Sequence, residues 1–262
     1  GTDYFRKKEM HLNDTVLYIG LNDTVNYGGQ AYTANSSGLK DNQTDWKWIP
    51  GATIKAGAGY NLNEYSNVFI NIGYLSRTPM FTNVIDNNYN RFFAEIKNEV
   101  ISALELGYNI SHKRFGINVN AYATNWKNKP FPNGLAVPDP EDPLSTIRVN
   151  VQGMDAVHLG VEVDGVFAIS KKLSLEAAVS YGDWTWNSSQ TVVLPAYNTT
   201  VSFDAKGVHV GDAPQSTYTA GLRYEPKKNI YIKVQYMYFD RFYSEFNPFI
   251  LTGANAVRDS GK

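Results

Sequence analysis

The chain has 262 residues and a formal net charge of -1 at pH 7, with 24 Lys and Arg against 25 Asp and Glu. This balance provides no broad basic field for nucleic acid and no strong acidic field for cationic partners. Cysteine is absent, which excludes disulfides and thiolate metal sites. Aromatic residues make up 14% of the chain, and no apolar run approaches the ~20 residues that a membrane-spanning helix needs.

Alternating apolar and polar residues predict four strands in the first half of the chain. In ATIKAGAGY, residues 52–60, Ile54 and Tyr60 share one face and Lys55 lies on the other. A further strand is predicted within residues 1–10. The same alternation recurs in NVFINIGYL (67–75), LELGYNI (104–110) and FGINVNAYATNW (115–126).

The second half of the chain predicts four more strands by the same alternation. In the last of them, Ile232 and Val234 lie on the face opposite Lys233 and Gln235. Several runs reach about ten residues, which spans a bilayer at the usual tilt, whereas soluble strands average ~5–6. These runs are VHLGVEVDGVFAI (157–169), LSLEAAVSYGDWTW (173–186), YTAGLRY (218–224) and NIYIKVQYMYFDRF (229–242).

The connections between the predicted strands alternate in length. The tight polar turns NLNEYS, SHKR, SKK and PKKN separate long connections at 11–48, 76–98, 127–151, 187–213 and from 243 onward. Bacterial outer-membrane barrels place short turns on the periplasmic side and long loops outside, and they carry aromatic residues at both interfaces. The pattern therefore predicts an antiparallel transmembrane β-barrel whose apolar face meets lipid. The lumen-facing set is Lys55, Asn71, Glu105, Asn118, Asn120, Glu162, Asp164, Glu176, Arg223, Lys233 and Gln235.

Three segments carry a resemblance to a known family. A strand pair leads into Arg77-Thr78-Pro79 within residues 49–85, and NEVISALELGYNI carries Glu99, Glu105 and Gly107. GDAPQSTYTAGLRYEP is then followed by YMYFDRFYSEFNP. In this order, residues 49–250 resemble the late barrel of TonB-dependent outer-membrane receptors of the Bacteroidetes type.

The resemblance implies a barrel of roughly 22 strands with an N-terminal plug and a periplasmic TonB box. We expect residues 1–262 to be the C-terminal part of the transmembrane β-barrel domain, about 8–9 strands of the larger barrel, with the plug domain and the last strands not in this chain. The implied function is TonB-energised uptake of a scarce nutrient, either an iron chelate, a vitamin or a glycan. Its expected partners are outer-membrane lipid, the TonB complex acting through the plug, a surface lipoprotein and the transported ligand, with no nucleic acid.

Candidate ligand or plug contacts are few. The resemblance and the loop chemistry select Arg77, Tyr89 and Arg91, and Trp184 and Trp186 are placed where they can stack a flat ligand or anchor the membrane interface. The acidic loops PDPEDP and IDNNYN lack the EF-hand pattern for calcium. The four histidines lack metal-ligand spacing. We therefore expect no catalytic residue, no metal, no cofactor and no enzyme activity.

Two other interpretations fit the strand pattern. Eight or nine strands without neighbours leave two unpaired edges, which hydrocarbon does not tolerate. The strands therefore either belong to a larger barrel or close alone as an eight-stranded barrel with a structural or adhesive role. A soluble carbohydrate-binding β-sandwich is the third interpretation, and dependence on detergent separates it from both barrels.

Spin labels on single cysteines at residues 232, 233 and 234 test the alternation. We expect the labels replacing Ile232 and Val234 to contact acyl chains and the label replacing Lys233 to contact water. The chain has no native cysteine that competes for the label. The inverse pattern of accessibility would contradict the assignment of faces.

Overall fold

The computed structural model describes residues 2–5, 8–12, 15–17, 24–33, 36, 40–86, 91–93, 95–129, 135–138, 144, 146–149, 151, 153–194 and 197–244. The elements before the main sheet are β1 (Thr2–Phe5), β2 (Lys8–Leu12), β3 (Thr15–Leu17), β4 (Thr24–Tyr27), β5 (Gln30–Thr33), β6 (Lys40–Gln43) and β7 (Lys47–Pro50). The next are β8 (Ala52–Asn63), β9 (Ser66–Arg77), α1 (Phe81–Val84), β10 (Ile85–Asp86), β11 (Arg91–Phe92), β12 (Glu99–His112) and β13 (Phe115–Lys129). The last are β14 (Leu135–Pro138), β15 (Thr146–Val149), β16 (Met154–Ala168), β17 (Leu173–Trp186), β18 (Ser189–Leu194), β19 (Thr199–Asp204), β20 (Pro214–Lys227) and β21 (Ile230–Phe242). Within these ranges, no helix combines the length and apolarity needed to cross a membrane.

Eight long strands form one antiparallel sheet in the order β8-β9-β12-β13-β16-β17-β20-β21, so each strand pairs with its sequence neighbours among them. They have 12 to 15 residues each, enough to span a bilayer at the usual tilt. This confirms the predicted fold class. Within the described part of the chain, the outermost strands β8 and β21 do not pair with each other. Because a closed eight-stranded barrel needs that pair, the open order favours a segment of a larger barrel.

The register keeps each face of the sheet chemically uniform across the strands. Leu106 lies opposite Ile70 on one side and Ala121 on the other. Val163 lies between Val119 and Val179 in the same way. Directly paired residues of an antiparallel sheet share a face, so the predicted division into an apolar and a polar face is confirmed.

The polar face is joined across strands by side-chain bonds. Glu105 accepts hydrogen bonds from Asn71 Nδ2 at 2.9 Å and from Asn120 Nδ2 at 2.7 Å, which links β9, β12 and β13. Further along the sheet, Lys233 Nζ lies 2.5 Å from Glu176 Oε2. Predicted lumen-facing residues therefore pair with one another, and such cross-strand pairs stabilise a sheet.

The two ends of the sheet differ in their connections. Tight turns at residues 64–65, 113–114, 169–172 and 228–229 lie at one end. At the other end, longer connections carry the small two-stranded sheets β10–β11, β14–β15 and β18–β19. The largest buried hydrophobic cluster also lies at this end, as does a smaller one around Val84 and Ile85. The apolar face of the sheet is exposed by contrast, with Val234 at 69%, because its partner in a barrel is lipid rather than protein.

The strand predicted within residues 1–10 is shorter than a bilayer-spanning strand. β1 has four residues and pairs with β7, which leads into β8 through Gly51. β2 instead pairs with β3 and β6. The sequence after β1 is Arg-Lys-Lys-Glu, and this run of charges has no apolar alternation to continue a membrane-spanning strand.

A charge placed on either face of β17 tests the bilayer assignment. Val179→Arg puts a guanidinium on the apolar face, where an arginine costs about 2–4 kcal/mol at the bilayer midplane. The neighbouring Ser180→Arg puts the same group on the polar face, beside Glu162. We expect only the first variant to lose folding free energy in lipid vesicles, measured by urea titration of tryptophan fluorescence. Equal losses in both variants would contradict a lipid-facing Val179.

Candidate functional site

Aromatic rings line the polar face near the long-loop end of β13, β16 and β17. His158 stacks on Trp184 with ring centroids 5.4 Å apart and 30° between planes. The Trp126 ring lies edge-on to the His158 ring, with centroids 5.7 Å apart and 73° between planes. We call Tyr122, Trp126, His158 and Trp184 the aromatic wall. The strand register brings it together, since His158 lies opposite both Thr124 and Trp184.

Two glycines set the orientation of the aromatic wall. Trp184 Nε1 donates a hydrogen bond to Tyr122 Oη at 2.9 Å. A Cβ on Gly160 would lie 2.3 Å from Tyr122 Oη, and one on Gly182 would lie 2.6 Å from Trp184 Nε1. Both contacts are far too short for real atoms, so a side chain at either position would displace a ring. The absence of a Cβ lets Tyr122 lie over Gly160 of neighbouring β16 and lets Trp184 lie over Gly182 of its own strand.

The aromatic wall contains two buried ring nitrogens that have no hydrogen-bond partner within the described residues. Trp126 Nε1 and His158 Nε2 are buried and unbonded there. Lys129 Nζ lies 3.8 Å from the centroid of the Trp126 ring and 5.8 Å from that of Trp186, which are cation–π distances. The wall therefore combines aromatic rings with a neighbouring cation, Lys129, and these groups suit a ring-bearing or anionic ligand.

A folded cap covers the end of β17. We call residues 187–194 and 197–210 the cap; its buried side chains Val192, Leu194, Phe203 and Val208 pack with Trp186. The Trp186 N–H donates to Val208 O at 2.8 Å, and the Val210 N–H donates to Trp184 O at 2.9 Å. The cap thereby extends the ladder of β17 beyond Tyr181, the last residue of β17 to pair with β20.

The mouth of the β18–β19 hairpin in the cap carries one stabilised carboxylate. The backbone N–H of Lys206 donates to Asp204 Oδ1 at 3.1 Å, and the Ser189 hydroxyl donates to it at 2.8 Å. These bonds favour the ionised form and hold the pKa of Asp204 below its usual range.

Gln215 completes the junction between the cap and β17. Its side chain accepts from the Trp184 N–H at 3.0 Å and donates to the carbonyls of Trp184 at 2.9 Å and Val210 at 3.2 Å. The residue is 1% exposed. One amide side chain therefore satisfies backbone groups of Trp184 that no strand residue reaches.

Arg77 lies at the same end of the polar face, at the end of β9. It forms an ion pair with Glu99, which is only 2% exposed, while the Arg77 side chain is 53% exposed. Glu99 Oε1 is buried with no hydrogen bond among the described residues. Arg77 thus neutralises a buried carboxylate and still presents part of its guanidinium outward.

A chain of hydrogen bonds ties the strand ends along this rim. Asn98 Nδ2 donates to Pro50 O at 2.6 Å, and Asn128 Nδ2 donates to Asn98 O at 3.1 Å. The Asn128 N–H donates to Asp155 Oδ1 at 3.0 Å, and the Asp155 N–H donates to Ser188 Oγ at 2.9 Å. The rim from β8 to β17 is therefore held by side chains as well as by the sheet ladder.

The five candidate contact residues selected from the sequence do not lie together in one site. Trp184 belongs to the aromatic wall, whereas Trp186 is 1% exposed and supports the cap from its core. Arg91 pairs with Asp86 in the backbone ladder of β10–β11, some distance along the chain from Arg77. Tyr89 lies outside the described residues, as do the acidic residues 139, 141 and 142.

Sequence reasoning missed Tyr122, Trp126, Lys129 and His158 as site residues. The alternation had already placed Tyr122 and His158 on the polar face, so the signal was present for those two. The alternation does not give the register between strands, which brings residues of β13, β16 and β17 side by side. Among the described residues, no group of three or more His, Cys, Asp or Glu side chains could hold a metal ion.

Comparison with known proteins gave one family match. The family described as TonB dependent receptor-like, beta-barrel matches residues 5–259. Comparison with curated proteins found no match.

The solved structures that are similar to this chain are named as receptors and a transporter. The siderophore receptor PiuA from Acinetobacter baumannii aligns with a TM-score of 0.52 and 13% identity, covering 81% of this chain and 29% of that one. The ferric-catecholate import receptor Fiu from K12 E. coli gives 0.46 and 17%, covering 77% and 25%. The copper transporter OprC gives 0.45 and 15%, covering 79% and 28%. The chain thus spans 25% to 29% of the length of these three proteins, and the PiuA alignment shows the shared fold.

Replacement of Gln215 tests the junction between the cap and β17. Gln215→Ala leaves the Trp184 N–H and the Val210 carbonyl without their Gln215 partner, while the Trp184 carbonyl keeps the Val210 N–H. Each unsatisfied buried group costs about 1–3 kcal/mol. We expect faster amide exchange at Trp184 and Val210, measured by hydrogen–deuterium exchange. Gln235→Ala on exposed β21 is the matched control and should leave these amides unchanged. Unaltered protection in the Gln215 variant would show that the cap is held without it.

Proposed function

Because this chain belongs to the TonB-dependent receptor-like β-barrel family, we propose that the protein carrying it imports a scarce nutrient with energy delivered through TonB. The family places the protein in the outer membrane of Gram-negative bacteria. The observation that carries the proposal is the single sheet of eight long strands, apolar on one face and hydrogen-bonded polar on the other. In this proposal, the chain supplies barrel wall and extracellular loops.

We assign residues 1–262 to the C-terminal part of the barrel domain. Two observations support a segment of a larger barrel, and the resemblance to the late barrel of the family supports its C-terminal position. Among the described residues, β8 and β21 do not pair with each other, and the chain covers 29% of the PiuA structure. The plug that contacts TonB then lies in a separate part of the protein.

The aromatic wall is the proposed ligand contact of this segment. Trp126 and Trp184 offer ring faces for stacking, and Lys129 adds a positive charge beside Trp126. Arg77, half-exposed on the same face, extends the cationic character along the rim. These groups suit an iron chelate, a vitamin or a glycan that carries rings or negative charge.

Trp186 takes a supporting role in this proposal. It is buried among the cap residues and its N–H is bonded to Val208. The cap sits on the strand that carries Trp184, so its packing fixes the height of the aromatic wall. A surface lipoprotein that covers the long-loop end would contact the cap first. The proposed chemistry is binding and translocation, with no enzymatic step.

Uptake by cells producing the native protein tests the proposal. Labelled iron chelates, vitamins and oligosaccharides are supplied one at a time, with TonB present or deleted. We expect saturable uptake of one class that disappears without TonB. Uptake that continues unchanged without TonB would contradict active transport and indicate a passive pore.

Substitution of the wall tests the ligand contact in the same assay. Trp184→Ala removes a stacking face, and loss of about 1–2 kcal/mol corresponds to a 5- to 30-fold weaker apparent affinity. Tyr218→Ala, on the apolar face of neighbouring β20, is the control and should leave uptake unchanged. Equal affinity in the Trp184 variant would remove the aromatic wall from the proposed site.

A further inference from the structure

The tight-turn end of the sheet carries an unbalanced group of cations. Three of the four tight turns carry a pair of cations: Lys113 and Arg114, Lys171 and Lys172, and Lys227 and Lys228, of which Lys227 is the last residue of β20. We call these six residues the basic turns. All six side chains are exposed, and none of them forms an ion pair within the described residues. The remaining tight turn, between β8 and β9, carries Glu64 instead.

The basic turns form one continuous row. The Ala168 N–H donates to Arg114 O at 2.7 Å, which joins the first turn to the second. The Glu225 N–H donates to Lys172 O at 2.7 Å, which joins the second to the third. The Glu225 carboxylate forms an ion pair with Arg223, whose Nη2 lies 2.6 Å from Glu225 Oε1. The row therefore keeps its positive charge.

An apolar groove lies directly above the basic turns on the lipid-facing side. Gly165 and Ala177 form its floor, where two small residues face each other across β16 and β17. Phe115, Phe167 and Leu175 form the wall nearest the turns, and Phe115 directly follows Arg114. The volume of the groove is about 530 Å³, within the range of small-molecule sites.

We propose that the basic turns and this groove together bind an anionic phospholipid of the periplasmic leaflet. The phosphate contacts Lys113, Arg114, Lys171 and Lys172, and one acyl chain lies over Gly165 and Ala177. Short turns of such barrels face the periplasm, so the cations meet the headgroups of that leaflet. Polybasic surfaces attract anionic lipids in this way.

The position of the groove selects lipid over other anions. A soluble phosphate ion has no apolar part that could bind in a groove opening into the hydrocarbon region. An acidic periplasmic protein reaches the turns but not the strand surface between Phe115 and Val163, because that surface lies in lipid. Only a molecule with both an anionic head and an apolar chain occupies both features.

The test uses the native protein in nanodiscs that mix phosphatidylethanolamine with phosphatidylglycerol or cardiolipin. Lipids that remain bound are identified by native mass spectrometry. We expect enrichment of the anionic lipid over its share of the bilayer, with loss at high salt. Each replacement of one of these cations by Gln should lower the affinity of the protein for the anionic lipid by about 5-fold at low ionic strength.

Matched variants separate headgroup from chain. Lys113→Gln with Arg114→Gln should lose enrichment, whereas Lys97→Gln with Lys206→Gln removes the same charge at the opposite end and should not. Ala177→Phe fills the groove and should weaken retention of lipid. Ala121→Phe adds the same ring to the apolar face outside the groove and should leave retention unchanged.

Three outcomes would overturn the proposal. The first is an anionic share equal to that of the bilayer. The second is enrichment that survives both the paired Gln variant and Ala177→Phe. The third is inorganic phosphate displacing the lipid at concentrations where chloride does not. Because none of these variants touches the aromatic wall, nutrient uptake reports separately on the proposed transport function.

Discussion

The structure depends on one constraint, which is that a backbone within hydrocarbon must satisfy all of its hydrogen bonds. Each unsatisfied group there costs several kcal/mol, so the eight long strands pair side by side in one antiparallel sheet from β8 to β21. The ladder in turn fixes parity, because a slip of one residue would move every apolar side chain to the wrong face. The rows through Leu106 and Val163 keep this parity in the middle of the sheet, and the register shifts lie at strand ends, at Asn61/Asn63, Trp126/Lys129 and Tyr224/Lys227.

Parity also explains why the chain tolerates charges deep in the sheet. Glu105 lies between Asn71 and Asn120 on the polar face and accepts a hydrogen bond from each. One residue along in either direction, the same carboxylate would face lipid without a partner. The polar face is therefore where charged and amide side chains can be placed in this sheet, and the aromatic wall lies at its long-loop end.

The strands are completed differently at the two ends of the sheet. At the long-loop end, β17 extends beyond its last residue paired with β20. The cap and Gln215 form hydrogen bonds there with the backbone groups of β17 that β20 does not reach. At the other end, turns of two to four residues close each hairpin at once, so their side chains are free to carry charge. The proposed ligand contact and the proposed lipid contact are thereby separated by the length of a strand.

The sequence by itself determined the strands, their faces and the alternation of turns and loops, because a period of two is a local property that each segment displays alone. It also selected Trp184, whose place on a long alternating run was visible. Only the tertiary structure decided that Trp184 stacks on His158 while Trp186 is buried in the cap. That difference depends on the register between β16 and β17 and on a loop that folds back along β17. Contacts between residues far apart in the chain leave no periodic trace in either segment, so the composition of the site could not be read from the sequence.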